Sequence, residues 1–227
     1  KAVRSFFEKP EEYLHTSIGV GYRAEIISDE VGRVVNKNIL DLGCGNGAIS
    51  LPYIQENHIT FVDFSKSMLN ILIKNVPDES KGNMRIVNAD IFEIPENGLY
   101  DIIFLIGVLA HIDKPLDEIM LWLQAKLVSK GRLYVQFTDY DCLLSHIYLA
   151  TRKSRYKINR ITKRDIVNAI NTSGLQLIKS INYATPLPGM GRMSNRLLSR
   201  YVRTVTGWKR LRFLKTEYIM VLERSIP

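Results

Sequence analysis

A chain of 227 residues suits one domain with room for a sizeable core, and its 46% hydrophobic and 24% charged residues are those of an ordinary globular protein. No apolar run approaches the roughly 18 to 20 residues of a membrane span, no signal-peptide pattern follows Lys1, and Cys44 and Cys142 are too few for a disulfide framework or a metal site, so a metal-free cytoplasmic protein is expected. The net charge of +8 is unevenly placed: residues 1–150 hold 14 Lys/Arg against 20 Asp/Glu, whereas 151–227 hold 17 against 3, which points the last third towards an acidic partner.

In chain order, residues 1–34 read as helical, with Phe6, Phe7, Tyr13 and Leu14 in a first segment and Ile18 to Val35 in a second. Asp29 and Glu30 stand late in that second helix, where they oppose its dipole, and leave its end open. Short apolar segments at 38–42, 59–63, 85–88, 100–106 and 132–138 predict strands, and 48–56, 66–75 and 116–129 predict helices between them. Strands apolar on both faces that alternate with helices argue for a parallel sheet covered on both sides, a doubly wound α/β fold. Pro52 is placed in the first turn of its helix, Ser65 caps the next, and Asp113-Lys114-Pro115 opens the third, which Gly131 stops. Beyond 138, a helix at 163–172 is capped by Thr162 and stopped near Gly174, followed by strands at 175–183 and 217–223.

The stretch Asn38 to Gly47 is a strand that runs into Gly43, Gly45 and Gly47. The spacing is G-x-G-x-G rather than the G-x-G-x-x-G of dinucleotide sites, yet glycines at a strand end still let the backbone approach a ligand. Asp41, Asp63, Asp90 and Gly107 to His111 all fall at the carboxyl ends of predicted strands, the edge where such sheets bind ligands.

Leu40-Asp41-Leu42-Gly43-Cys44-Gly45-Asn46-Gly47 resembles the first motif of the class I S-adenosylmethionine-dependent methyltransferases. Three further segments match that family in order: Thr60-Phe61-Val62-Asp63-Phe64-Ser65, Arg85 to Ile91, and Asp101 to Ile112. The resemblance covers residues 35–140, with 1–34 implied as helices over the cofactor and 141–227 as the remainder of the fold with acceptor-pocket insertions and a small helical cap. It implies seven strands, the last antiparallel, and S-adenosylmethionine as cofactor. Asp63 would accept from the ribose hydroxyls, Phe64 and Met68 would flank the adenine, and Asp90 with the Ile91 N–H would meet its edge. Asp41, Gly43, Cys44, Gly45 and Gly47 would orient the methionine end, with Ile106 beside the reactive methyl.

For proton removal from an acceptor, His111 is the first candidate, because it follows the fourth strand and imidazole titrates near neutrality; Asp139 and Tyr140, after the fifth strand, are rivals. Tyr13, His15, Tyr140 and Arg192 are candidates for the acceptor pocket. The acceptor is expected to be a small molecule, glycosidic or lipid-linked and of anionic character. An RNA methyltransferase, or a partner protein that keeps the pocket without catalysis, are the alternatives. Gly107-Val108-Leu109-Ala110 stands where amino-methylating nucleic-acid enzymes carry an N/D-P-P-Y sequence. The segment Arg192 to Lys215 interleaves cations with Leu197, Leu198, Tyr201, Val202, Trp208, Leu211 and Phe213, which reads as a solvated cap, as a face for anionic membrane, or less readily as a nucleic-acid surface.

Overall fold

The computed structural model describes residues 17–94, 98–142, 144–145, 158–184, 190 and 193–225. Tyr13, His15 and Arg192 lie outside these residues. Seven strands form one sheet: β1 (Asn38–Leu42), β2 (His58–Val62), β3 (Met84–Val87), β4 (Tyr100–Leu105), β5 (Leu127–Thr138), β6 (Leu175–Tyr183) and β7 (Glu217–Arg224), in the order β3-β2-β1-β4-β5-β7-β6. The first five pair parallel, and β7 lies antiparallel between β5 and β6.

Alternation along each strand divides the core. Leu40, Leu42, Ile103, Leu105, Leu133 and Val135 pack on one face, beneath α3 (Leu116–Ala125) and α4 (Lys163–Ser173), whose Met120, Leu123, Ile166 and Ile170 meet them. Ile39, Phe61, Phe104, Tyr134, Ile219 and Val221 pack on the other, with Ile27 of α1 (Ser17–Val31) and Leu69 and Leu72 of α2 (Lys66–Asn75). The same period puts Asp41 beside Ile39, Gln136 beside Tyr134 and Glu217 beside Ile219. Three polar side chains are thus buried on the α1 face, at 2%, 5% and 9% exposure, where these strands reach the carboxyl edge of the sheet.

Local chemistry sets the ends of these elements. Ser65 caps α2 by accepting from Met68 N at 3.3 Å. Thr162 and Asp165 form a reciprocal capping box on α4, and Gly174, at φ 73°, ends it. Gly32 at φ 64° ends α1 at Val31, short of the predicted Val35.

Two predicted helices are corrected. Residues 48–56 hold a series of turns and one 3-10 turn, Leu51–Tyr53, instead of a helix. Pro52 is the fifth residue from Ala48, so its missing N–H is the one that would bond the Ala48 carbonyl, and its ring crowds that carbonyl. Beyond Leu51 N, which still reaches Gly47 O, the chain continues through i−3 bonds, Tyr53 N to Ser50 O and Ile54 N to Leu51 O. The helix predicted at 116–129 ends at Ala125, and β5 starts at Leu127 rather than 132. Tyr100 N donates to Lys126 O at 2.8 Å, so the ladder with β4 begins there. A bulge with Lys130 at φ 60° then restores register at Arg132. Gly131 marks that bulge rather than a helix end: a Cβ on it would meet Val128 O at 2.9 Å and Tyr100 O at 3.0 Å.

Candidate functional site

The loop after β1 is held from below. Val62 O accepts from both Gly43 N (2.8 Å) and Cys44 N (3.1 Å), and Gly47 N closes a turn on Cys44 O. Gly43, Gly45 and Gly47 all have positive φ. The protein's own packing also requires the first: a Cβ on Gly43 would lie 2.3 Å from Val108 Cγ2, in the loop after β4. A Cβ on Gly45 would lie 3.2 Å from Met68 Cε. Met68, expected against an adenine, is 2% exposed.

Asp63, at the tip of β2, binds this loop to the next helix. Its Oδ2 accepts from Gly45 N and its Oδ1 from Ser65 N, both at 2.8 Å. An ionised carboxylate has about four acceptor positions, so each oxygen keeps capacity for one more donor. Burial raises the Asp63 pKa, and the two backbone bonds oppose that rise. Asn88 Nδ2 fixes the strand end from the far side by donating to Asp63 O at 2.9 Å.

Asp41 lies beneath the loop and accepts from Ser50 Oγ at 2.5 Å. Burial pushes its pKa up to about 7 against the opposing pull of the Ser50 hydroxyl, with a smaller upward push from Asp63. Burial likewise holds the Cys44 thiol well above its ordinary value, which makes it an inert wall residue. Above the loop, α1 lays Arg23 over a narrow cleft that Asp41, Gly43, Gly45, Asn46 and Ile106 also line. A cation facing glycine N–H groups suits a ligand carboxylate.

Arg23 was not legible as a site residue, nor were its partners. Its Nη1 donates to Gln136 Oε1 at 3.3 Å, Gln136 Nε2 donates to Glu217 Oε2 at 2.5 Å, and Thr138 Oγ1 donates to Glu217 Oε1 at 2.7 Å. Burial raises the Glu217 pKa. The fully buried Tyr183 hydroxyl is raised well above its ordinary value, first by burial and then by Glu217. A Cβ on Gly107, at φ 77°, would come within 2.9 Å of Arg23 Nη1, so the guanidinium also lies on the loop after β4. The available signal was Gln136, a polar residue within the otherwise apolar run Leu133 to Phe137.

Asp90 is exposed, and its Oδ1 accepts from Phe92 N at 3.1 Å while its carbonyl accepts from Glu93 N, so it shapes a tight turn; Ile91 beside it is buried. Phe64 is half-buried. His111 closes the 3-10 turn Leu109–His111, and burial lowers its pKa, favouring the neutral imidazole. Asn159 pins this loop through bonds to Ala110 O and Ile112 O. The Asp139 carboxylate accepts from Asp141 N and Lys163 N, which joins the end of β5 to the start of α4. Tyr140 N donates to Ile161 O, and its side chain is half-buried. The site therefore brings together Asp41, Asp63, the three glycines, Ile106 and Arg23, with His111 on the adjoining loop.

The profile of a family described as a methyltransferase domain matches residues 39–131. Over 109 residues the chain is 33% identical to the tRNA U34 carboxymethyltransferase of Aliivibrio salmonicida, covering 47% of this chain and 33% of that protein. It is 26% identical over 109 residues to a probable (S)-tetrahydroprotoberberine N-methyltransferase of Papaver bracteatum, covering 47% and 29%. The match thus spans about a third of the length of these curated relatives. In three dimensions the magnesium protoporphyrin IX methyltransferase of Synechocystis PCC 6803, solved with bound SAH, aligns over 98% of each chain at a TM-score of 0.67 and 16% identity, a shared fold.

Proposed function

We propose that the chain, whose residues 39–131 match a methyltransferase domain, is a class I S-adenosylmethionine-dependent methyltransferase that binds S-adenosylmethionine along the carboxyl edge of β1, β2 and β4 and methylates a small-molecule acceptor. The observation that carries this reading is Asp63, which is buried, bonded to Gly45 and Ser65 N–H groups, and left with acceptor capacity at the rim of a glycine loop. Its carboxylate would take the ribose hydroxyls. The Gly43 to Gly47 loop and Arg23 would hold the methionine end, with its ammonium and sulfonium charges favouring an ionised Asp41. Asp90, the Ile91 N–H and Phe64 would border the adenine.

When bound, the cofactor supplies an electrophilic methyl with its leaving group in place, so the chain's main task is alignment, which can contribute about 7 to 11 kcal/mol. Proton removal from the acceptor is assigned to His111. Burial keeps its imidazole neutral at pH 7, whereas the rival Asp139 carboxylate already holds two backbone N–H groups. Tyr140, with Tyr13, His15 and Arg192, would shape the acceptor pocket. His111→Ala is expected to lower turnover about a hundredfold while leaving cofactor affinity within about twofold, in steady-state kinetics and calorimetry. Equal losses in both would place His111 in cofactor binding instead.

The test is calorimetric titration with S-adenosylmethionine, then transfer of a labelled methyl group to small-molecule and tRNA fractions. Micromolar binding with label in the small-molecule fraction supports the reading. Label in tRNA would favour the second reading, an RNA methyltransferase, to which the tRNA-modifying relative and the basic last third lend weight. Binding without any transfer would favour a non-catalytic partner protein.

A further inference from the structure

We propose that the outer face of α5 (Asn195–Gly207), together with the turn that follows it, is a docking surface for an anionic lipid bilayer. The helix buries Leu198, Val202 and Val205 against the body of the protein and turns Arg196, Leu197, Arg200 and Arg203 to solvent. In the turn Lys209–Leu214 the residues Lys209, Arg210 and Phe213 are exposed, as is Trp208 before it. Leu197 is 51% exposed and Trp208 and Phe213 are each 61% exposed, with Met193 beside the helix start at 36%. Single exposed apolar side chains are commonplace, but four within 193–213, interleaved with cations, are a concentration that a solvated surface does not call for.

The charge is one-sided. No Asp or Glu stands between Asp165 and Glu217, so the segment cannot neutralise itself, and Arg203 is already committed to Glu25 of α1 through bonds of 2.7 and 2.8 Å. Arg196, Arg200, Lys209 and Arg210 can reach anionic headgroups while their stems and the apolar side chains enter the acyl boundary, with Trp208 at the depth its amphipathic ring prefers. Nucleic acid would account for the arginines and the two aromatics, but it leaves Met193 and Leu197 without a role. Among the described residues no helix is long and apolar enough to cross a membrane.

The Arg203–Glu25 pair links α5 to α1, the helix that carries Arg23 over the cleft, and Thr206 Oγ1 holds the end of β6 by accepting from Ala184 N at 3.1 Å. Docking would place the cleft-covering helix close to the bilayer. A lipid-borne acceptor would meet it there, a consequence that rests on the methyltransferase reading, whereas the docking itself does not.

The test is co-sedimentation of the full chain with phosphatidylcholine vesicles, with and without phosphatidylglycerol, while cofactor binding is titrated separately without vesicles. Binding to the anionic vesicles is expected, reduced about thirtyfold by Arg196→Gln with Arg200→Gln at low salt, at the usual contribution of a basic residue near such a surface. Trp208→Ala with Phe213→Ala should reduce it about tenfold, with unchanged thermal unfolding because both side chains are exposed. Equal binding to neutral and anionic vesicles, or no binding to either, overturns the proposal. So does binding that ignores the Trp208 and Phe213 changes and is displaced by tRNA, which would assign the face to nucleic acid.

Discussion

Asp63→Ala is expected to weaken S-adenosylmethionine binding by at least about a hundredfold and to lower the free energy of unfolding by about 2 to 4 kcal/mol. The two effects share one cause. The carboxylate gives one oxygen to Gly45 N and the other to Ser65 N, so its loss leaves two backbone donors without their acceptor at the junction of the glycine loop and α2. A donor orphaned in a buried site costs about 1 to 3 kcal/mol, and Ser65 is fully buried. On the ligand side, two charge-assisted bonds to a ribose diol contribute about 1.5 to 3 kcal/mol each, of which a hundredfold loss is a conservative share. Asp63→Asn separates the terms: its one carbonyl oxygen can serve only one backbone donor, so stability and affinity should both fall part of the way. Calorimetry and thermal unfolding on the three proteins provide the readout. If Asp63→Ala bound the cofactor within about threefold of the parent, the assignment of this carboxylate to the ligand would be wrong.

The parts of this site that were legible in the sequence are those whose reasons are local. Gly43, Gly45 and Gly47 announce themselves by spacing, Asp63 by its place at a strand end, and Ser65 and Thr162 by their position before a helix. Even so, the sequence suggested only a close ligand approach for Gly43, whereas the structure gives a packing reason: its absent Cβ makes room for Val108, more than sixty positions later in the chain. Arg23 and Glu217 were invisible because nothing in their own neighbourhoods specifies them, and Gln136, a polar residue within an apolar run, gave no hint of its partners. Their meeting depends on β7 entering antiparallel beside β5, which pairs Glu217 with Thr138, and on α1 covering that face. The failed helix at 48–56 was a local error. Pro52 falls one residue too deep to be harmless, a count from Ala48 that needed no structure. At 126–131 the tertiary ladder with β4 overrode a good helical pattern.

Asp41 supplies a pH dependence that couples stability to ligand binding. Its folded-state pKa of about 7 lies above the ordinary 3.8, so the folded protein holds this proton more tightly than the unfolded chain does. The resulting stabilisation is fully present below the unfolded value and is lost as pH rises through about 7, at about 1.4 kcal/mol per unit between the two. Integrated over that window the loss reaches about 4 kcal/mol as an upper bound, enough to register as a fall in Tm between pH 5 and 8. Asp41→Asn keeps an oxygen for the Ser50 hydroxyl and removes the ionisation, so this part of the pH dependence should vanish and the variant should gain on the parent at pH 8. The cofactor reverses the sign. Its sulfonium and ammonium charges favour the ionised carboxylate, so binding at pH 7 should release a fraction of a proton and tighten as pH rises. Calorimetry in two buffers of different ionisation enthalpy reads that release directly, and it should be absent in Asp41→Asn. If the Tm values of parent and variant instead ran parallel from pH 5 to 8, Asp41 would be ionised throughout. The charge beneath the glycine loop would then be a fixed feature of the fold rather than one the ligand draws out.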